Sequence, residues 1–519
     1  MFTLTLAILA AGGRLQAPPM GDQTTIDAII REGKDHSQVM KRLTYLSTKI
    51  GPRLTGSPEL AAAQKWALSE FTKMGLKNVH LDEWGEAPVG FDRGPLQTAR
   101  MVAPYALDMV FTTPCWTNGT NGVVTAEAVL CPDSVEAIDA AKDSLKGKWV
   151  VLPAPDAAAG GGGFGGGRRG GGGGGGLGGG VGAPTGAGAG AGGGLGGGVG
   201  APSGTAGLGG AAGGQRPVAP QTDLVNALDK LPIAGIIRGS RNELCVTGGR
   251  WTGKTFESHP GVPQLTVRKS DCDQLLSCFS FNQTVKLAIG ADNRWYPGPV
   301  KQYNVVADLP GTEKPDEMVI VSGHFDSWNG PGSQGTTDNG TGSMTAMEAA
   351  RILTKVKAKP KRTIRFILWS GEEQGLYGST AYVKNHVAEL PKVSAVLVDD
   401  GGTNYQGGYV GLATQKDIFE KAFAPVVTAF SDMPEVFRVS ERMPRGGGSD
   451  HAPFNAAGVP GFFTIETGRN NYTFVHHTQH DNLSQAIPEY LVQSSTNHAV
   501  VAYNLACLPG LLPREIPAP

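Results

Sequence analysis

Residues 321–353 read VSGHFDSWNGPGSQGTTDNGTGSMTAMEAARIL, and residues 363–379, after a basic spacer, read TIRFILWSGEEQGLYGS. Two short apolar runs frame the stretch: EMVIVSG leads into His324, and TIRFILW leads into Glu372 and Glu373. Between them TGSMTAMEAARIL reads as a helix over 341–354, with Asp338 just ahead of it. Strand, helix, strand in this order predicts a mostly parallel mixed sheet flanked by helices on both faces. Ligands of open α/β sheets sit beyond the carboxyl ends of the strands, which is where His324, Asp338, Glu372 and Glu373 fall.

The same alternation extends from Val300 onward, through YNVVADL before the stretch, a helix expected over 374–388, and VSAVLV, which ends on Asp399 and Asp400. Upstream, residues 22–82 read as largely helical: Met40, Leu43, Leu46 and Ile50 share a face, Gly51-Pro52 stops that helix, and Ser57-Pro58 starts another. From Pro88 to about Gly298 short apolar runs such as GVVTAEAVLC and KGKWVVLPAP are broken by Gly, Pro, Asn and Asp, the pattern of a small β-rich domain with few helices. The boundaries expected are thus a helical part of the catalytic domain at 22–87, an insert at 88–299 and an α/β body at 300–510. Within the insert lies a glycine block in which GLGGGVGAP occurs twice, at 176–184 and 194–202. A run so poor in apolar side chains cannot offset the entropy of ordering it, so 158–216 is expected to be a disordered loop. A phosphate-cradling loop would need a strand-turn-helix frame and a Lys-Ser/Thr pair, which are missing.

Charge and composition narrow the partners. With 45 basic and 46 acidic residues the net charge is −1, which gives no support for nucleic acid or an anionic membrane. The apolar run Phe2–Ala11 followed by Leu15-Gln-Ala17 resembles an export leader over 1–20, and no stretch is long and apolar enough for a membrane span. An exported, periplasmic or extracellular protein is expected. Of the six cysteines, Cys115 with Cys131 and Cys272 with Cys278 are close enough to pair; buried free thiols are the equal alternative, and no CxxC spacing suggests structural zinc.

So many acids at one sheet edge are costly to bury unless cations neutralise them, and mixed His and carboxylate donors suit zinc or other divalent metals. Two residues apart on an extended chain, Asp326 can accept the ring N–H of His324 and leave the other nitrogen for metal. Adjacent carboxylates repel, which is resolved if one of Glu372 and Glu373 binds metal and the other is a general base. A second imidazole is available in FVHHTQHDNLS, from His476, His477 or His480.

SGHFDSW, TTDNGTGS, LWSGEEQGLYGS and HHTQHDNLS, in this order and spacing, resemble the M28 family of co-catalytic zinc exopeptidases. GHFDSW, KRTIRFILWSGEEQG and SAVLVDDGGT are similar to its carboxypeptidase Q-like branch, and the insert resembles a protease-associated (PA) domain. The resemblance implies two Zn2+ ions bridged by Asp338. One also takes His324 and Asp400, with Asp399 the alternative; the other takes Glu373 and His477, the His that precedes Thr478. It implies Glu372 as general base, with Asp326 beside it in the catalytic set. RGGGSDHAPFNAAGVPGFF also resembles a family feature at the cleft rim, where Asp450 and His451 either meet substrate or shape a turn. The expected activity is hydrolysis of peptide substrates at a chain terminus, aminopeptidase favoured. The alternatives are carboxypeptidase or dipeptidase action of the carboxypeptidase Q type, or a non-catalytic binding protein on the same fold. A homodimer is compatible with this reading.

Overall fold

The protein is described here by a computed structural model covering residues 20–155, 221–257, 261–446 and 448–515. The expected glycine loop 158–216 and nearly all of the expected leader 1–20 lie outside the described residues.

The first sheet has eight strands, in the order Lys77–Ala87, Val300–Leu309, Arg362–Trp369, Lys314–His324, Val393–Val398, Gly461–Thr467, Tyr405–Gly411 and Val436–Val439. The four central strands, from Arg362–Trp369 to Gly461–Thr467, run parallel, and antiparallel pairs flank them. Every residue of Arg362–Trp369 is buried, which explains its apolar character, interrupted at Arg365, whose guanidinium pairs with Asp308. Alternation divides those side chains between two cores. Ile364, Phe366 and Leu368 join Val319, Val321, Ala395 and Leu397 beneath the helices Thr341–Lys355 and Pro488–Ala506. Ile367 and Trp369 join Ile320, Val396 and Val398 on the opposite face, against Tyr382 and Phe454. Both faces are therefore covered, as the sequence pattern predicts.

The helical start forms Gln23–His36, Val39–Tyr45 and Pro58–Lys73, and its apolar faces enter the first of those cores through Ile26, Leu43, Leu60 and Phe71. Ser57 caps the third helix by accepting the Leu60 N–H.

A second eight-stranded sheet is built from strands between Gly90–Ala103 and Val285–Tyr296. It is less purely β than expected. Three helices pack on it: Val135–Leu145 and Gln221–Leu228 against Val150 and Ile236, and Lys269–Ser280 against Trp149, Val151 and Ile237. The strands Val124–Leu130, Trp149–Leu152, Gly235–Gly239 and Gln264–Val267 run parallel, which is why crossover helices are needed. These helices are short and mostly polar, so their apolar stripes are easily read as loop. All six cysteines are free thiols, five of them buried, so neither sequence-adjacent pair is bridged.

Candidate active site

Three neighbouring parallel strands deliver the chemistry to one edge. His324 ends Lys314–His324 and lies opposite Trp369, the end of Arg362–Trp369, so Glu372 and Glu373 occupy the turn just beyond. Asp399 and Asp400 follow Val393–Val398 on the other side of the His324 strand. Asp338 belongs to the turn Thr336–Gly340 that heads the helix Thr341–Lys355, and His477 follows the short helix Tyr472–Val475.

Asp338 sits at the middle. Its Oδ1 is 3.3 Å from His324 Nε2 and its Oδ2 is 3.2 Å from His477 Nε2. Around the first imidazole, Asp400 Oδ1 lies 3.0 Å from His324 Nε2. Around the second, Glu373 Oε2 lies 2.9 Å from His477 Nε2. Two donor groups thus share one carboxylate. Glu372 stands slightly apart, with Oε2 4.0 Å from His324 Nε2. His476 approaches Asp338 only to 3.9 Å, is half exposed, and stacks on His477. His480 stacks on Phe474.

The Asp399–Asp400 alternative resolves in the side-chain directions. Asp399 turns inward, where its Oδ2 accepts from Gln406 Nε2 at 2.7 Å and Thr345 Oγ1 at 2.8 Å, while Asp400 faces His324. Asp326 behaves differently from the expectation. The nearer acceptor for the His324 Nδ1–H is its main-chain carbonyl, at 3.0 Å, with its carboxylate at 3.6 Å. That bond still fixes the tautomer and leaves Nε2 facing the acids. The Asp326 carboxylate instead accepts from Thr55 Oγ1 at 2.6 Å and lies 3.4 Å from the N–H groups of Glu372 and Glu373. It holds the turn that carries the Glu pair.

The electrostatics are those of buried groups crowded together. Burial pulls both imidazoles down, but the carboxylates outweigh it: Asp400 and Glu372 hold His324, and Glu373 and Asp338 hold His477, well above the usual His range. Burial followed by the Asp338 charge pushes Glu373 up to about 7. Burial pushes Glu372 well above the usual carboxyl range, with the Asp400 and Asp450 charges adding to it. Glu373 Oε1 is buried without a hydrogen-bond partner, an arrangement that a bound cation satisfies. The donors, imidazole nitrogens and carboxylate oxygens in two groups around one shared Asp, fit a pair of zinc or similar divalent ions.

Two residues outside the expected set hold the loops. Arg53, fully buried, donates from Nε to the Phe325 carbonyl at 2.7 Å and from NH2 to the Gly335 carbonyl at 2.6 Å, tying the His324 strand end to the Asp338 turn. Asp481 accepts from the Thr337 N–H at 2.6 Å and Thr337 Oγ1 at 2.7 Å. The signals for them were faint: an Arg directly after a Gly-Pro helix stop, and an Asp closing the His-rich segment. Asp450 and His451 are buried, and the Asp450 charge acts on Glu372.

Residues 304–502 match the model of peptidase family M28. The part of the chain that carries the candidate site is thus similar to this family. The chain is similar to carboxypeptidase Q of Mus musculus, 26% identical over 93% of this chain and 88% of that protein. Its fold is similar to the M28 peptidase precursor from Shewanella amazonensis, with a TM-score of 0.62 and 20% identity over 96% of this chain and 99% of that one. It is also similar to the zinc aminopeptidase of Bacillus subtilis, with a TM-score of 0.53 and 17% identity over 90% of this chain and 94% of that one. The matched region and these relatives are those of peptidases, hydrolases of peptide bonds.

Proposed function

We propose that the protein is a two-zinc exopeptidase in which Asp338 bridges the ions, His324 and Asp400 complete one site, Glu373 and His477 complete the other, and Glu372 is the general base. The observation that carries this reading is the shared carboxylate: Asp338 turns one oxygen to each of two imidazoles, 3.3 and 3.2 Å away. Bound divalent ions would acidify water and polarise the scissile carbonyl. The chain's own part is proton handling and orientation. Glu372, beside the ligand set but not facing Asp338, takes a proton from the attacking water and returns it to the leaving amine. Its buried setting raises its affinity for a proton, which suits that exchange. Asp326 and Arg53 keep the Glu turn and the Asp338 turn in register.

An aminopeptidase needs an acid for the free α-amine. We assign that part to Glu466, which feels the Asp399 and Asp400 charges and whose Oε2 has no hydrogen-bond partner. A carboxypeptidase needs a cation or donors for the substrate carboxylate; of Arg442, Arg445 and Arg469, the last two are paired with Glu515 and Glu489 and Arg442 is exposed. We therefore favour action at the amino end. Carboxypeptidase or dipeptidase action is the second reading, favoured by the near full-length likeness to mouse carboxypeptidase Q. The leader-like start of the sequence supports an exported enzyme. Among the described residues no helix is long and apolar enough to cross a membrane.

Purified protein offered peptides blocked at the amino end, the carboxyl end or neither, with and without chelator, tests both parts. Cleavage of carboxyl-blocked but not amino-blocked peptides, abolished by chelator and restored by zinc, is expected. Chelator-resistant cleavage would refute the metal centre, and the reverse blocking pattern would establish the second reading.

A further inference from the structure

His477 differs from the other proposed ligands in what holds it. His324, Glu373, Asp338 and Asp400 stand on or directly beside strands and the helix of the first sheet. His477 sits in a loop with φ +61°, a conformation that costs a non-glycine residue energy unless its neighbours enforce it. Part of that enforcement comes from the body, through Asp481 and through the Gln334 N–H donated to the Asp481 carbonyl at 2.7 Å.

The rest comes from the second sheet's region. The Thr247 N–H donates to the His477 carbonyl at 2.8 Å. The Cys245 N–H donates to Gln479 Oε1 at 2.8 Å, and Gln479 Nε2 donates to the Glu243 carbonyl at 2.9 Å. Three hydrogen bonds thus join segment 243–247 to segment 477–479. The donating segment is itself fixed, since Cys245 and Thr247 are buried and Thr247 Oγ1 lies 2.6 Å from Thr112 Oγ1.

We propose that the segment Glu243–Thr247 is a positioning element for His477, so that the insert sets the affinity of the ion held by Glu373 and His477 and leaves the ion held by His324 and Asp400 untouched. The inference rests on the two-ion reading above. A metal-binding step gains affinity when its ligands are held in place before the ion arrives, and only one of the two sites depends on the insert for this. Gln479 is the residue through which the link is broken with least disturbance, because it is half exposed and makes two of the three bonds.

The test is zinc titration calorimetry on the full chain after chelator stripping. The wild-type protein should bind two equivalents in resolvable steps. Gln479→Ala should weaken one step at least tenfold and leave the other within twofold. Gln479→Glu, which keeps an acceptor for the Cys245 N–H, should fall between. Thr247→Pro, which removes the donated N–H, should reproduce the Gln479→Ala pattern, and Thr247→Ala, which keeps it, should not. Thermal melts of the stripped proteins check that each variant is folded. Two wild-type steps that Gln479→Ala leaves unchanged or shifts equally would overturn this inference alone. A single wild-type equivalent would overturn the two-ion reading and the inference with it.

Discussion

On the proposed reading Glu372 and Glu373 are neighbours with opposite tasks, and the direction of each side chain decides which is which. Glu373 reaches His477 at 2.9 Å, whereas Glu372 stays 4.0 Å from His324. On the proposed mechanism Glu372→Gln should lower turnover by roughly 10²–10⁴-fold with zinc content unchanged. Glu373→Gln should instead cost one equivalent of zinc. Steady-state kinetics alongside metal analysis by mass spectrometry separates the two. The Asp399–Asp400 pair makes a parallel case. Asp400→Asn should weaken zinc binding. Asp399→Asn should keep both equivalents but destabilise the fold by about 1–3 kcal/mol, read by denaturant titration, because Gln406 and Thr345 lose a charged acceptor. In both pairs the residue types were legible in the sequence. Their division of labour depends on side-chain direction, which alternation along the strand leaves open for adjacent residues.

The helix Pro488–Ala506 carries no ligand, yet it underlies the site. It buries fifteen of its nineteen residues, among them His498, whose Nε2 faces the Gln406 amide that also serves Asp399. Accepting that bond requires a neutral ring, and burial lowers its pKa to about 3, from 6.5 in an open chain. The folded-state value is depressed, so between those limits the unfolded chain binds a proton that the folded one refuses. The stabilisation is complete above pH 6.5 and is lost as pH falls toward 3, by about 1.4 kcal/mol per pH unit at most. Denaturant titrations at pH 7 and 5 should show this slope, and His498→Asn should flatten it. Such a role could not be read from the sequence, where His498 is one more polar residue on a helix. By contrast the central strands were legible, because strands covered on both faces leave long apolar runs. The insert's helices were not, since each buries only a narrow stripe.

At the scale of the molecule, the two sheets are joined by more than the crossings of the chain. Trp116 of the insert is fully buried against Trp251 and Trp328, and the Trp328 ring lies 6.0 Å from that of His477. Trp116→Ala should cost about 3–5 kcal/mol and lower the melting temperature measured by calorimetry. What was hardest to foresee lies at this scale: Arg53, Thr55 and Asp481 act on partners remote in the chain, several of them backbone groups, and no local pattern announces such a contact. Their distribution has a consequence for the protein's synthesis. Arg53 is translated well before His477 and Asp481. On the proposed reading the hydrolytic centre is complete only after all three have been made, so a nascent chain that stops short of His477 should show no peptidase activity.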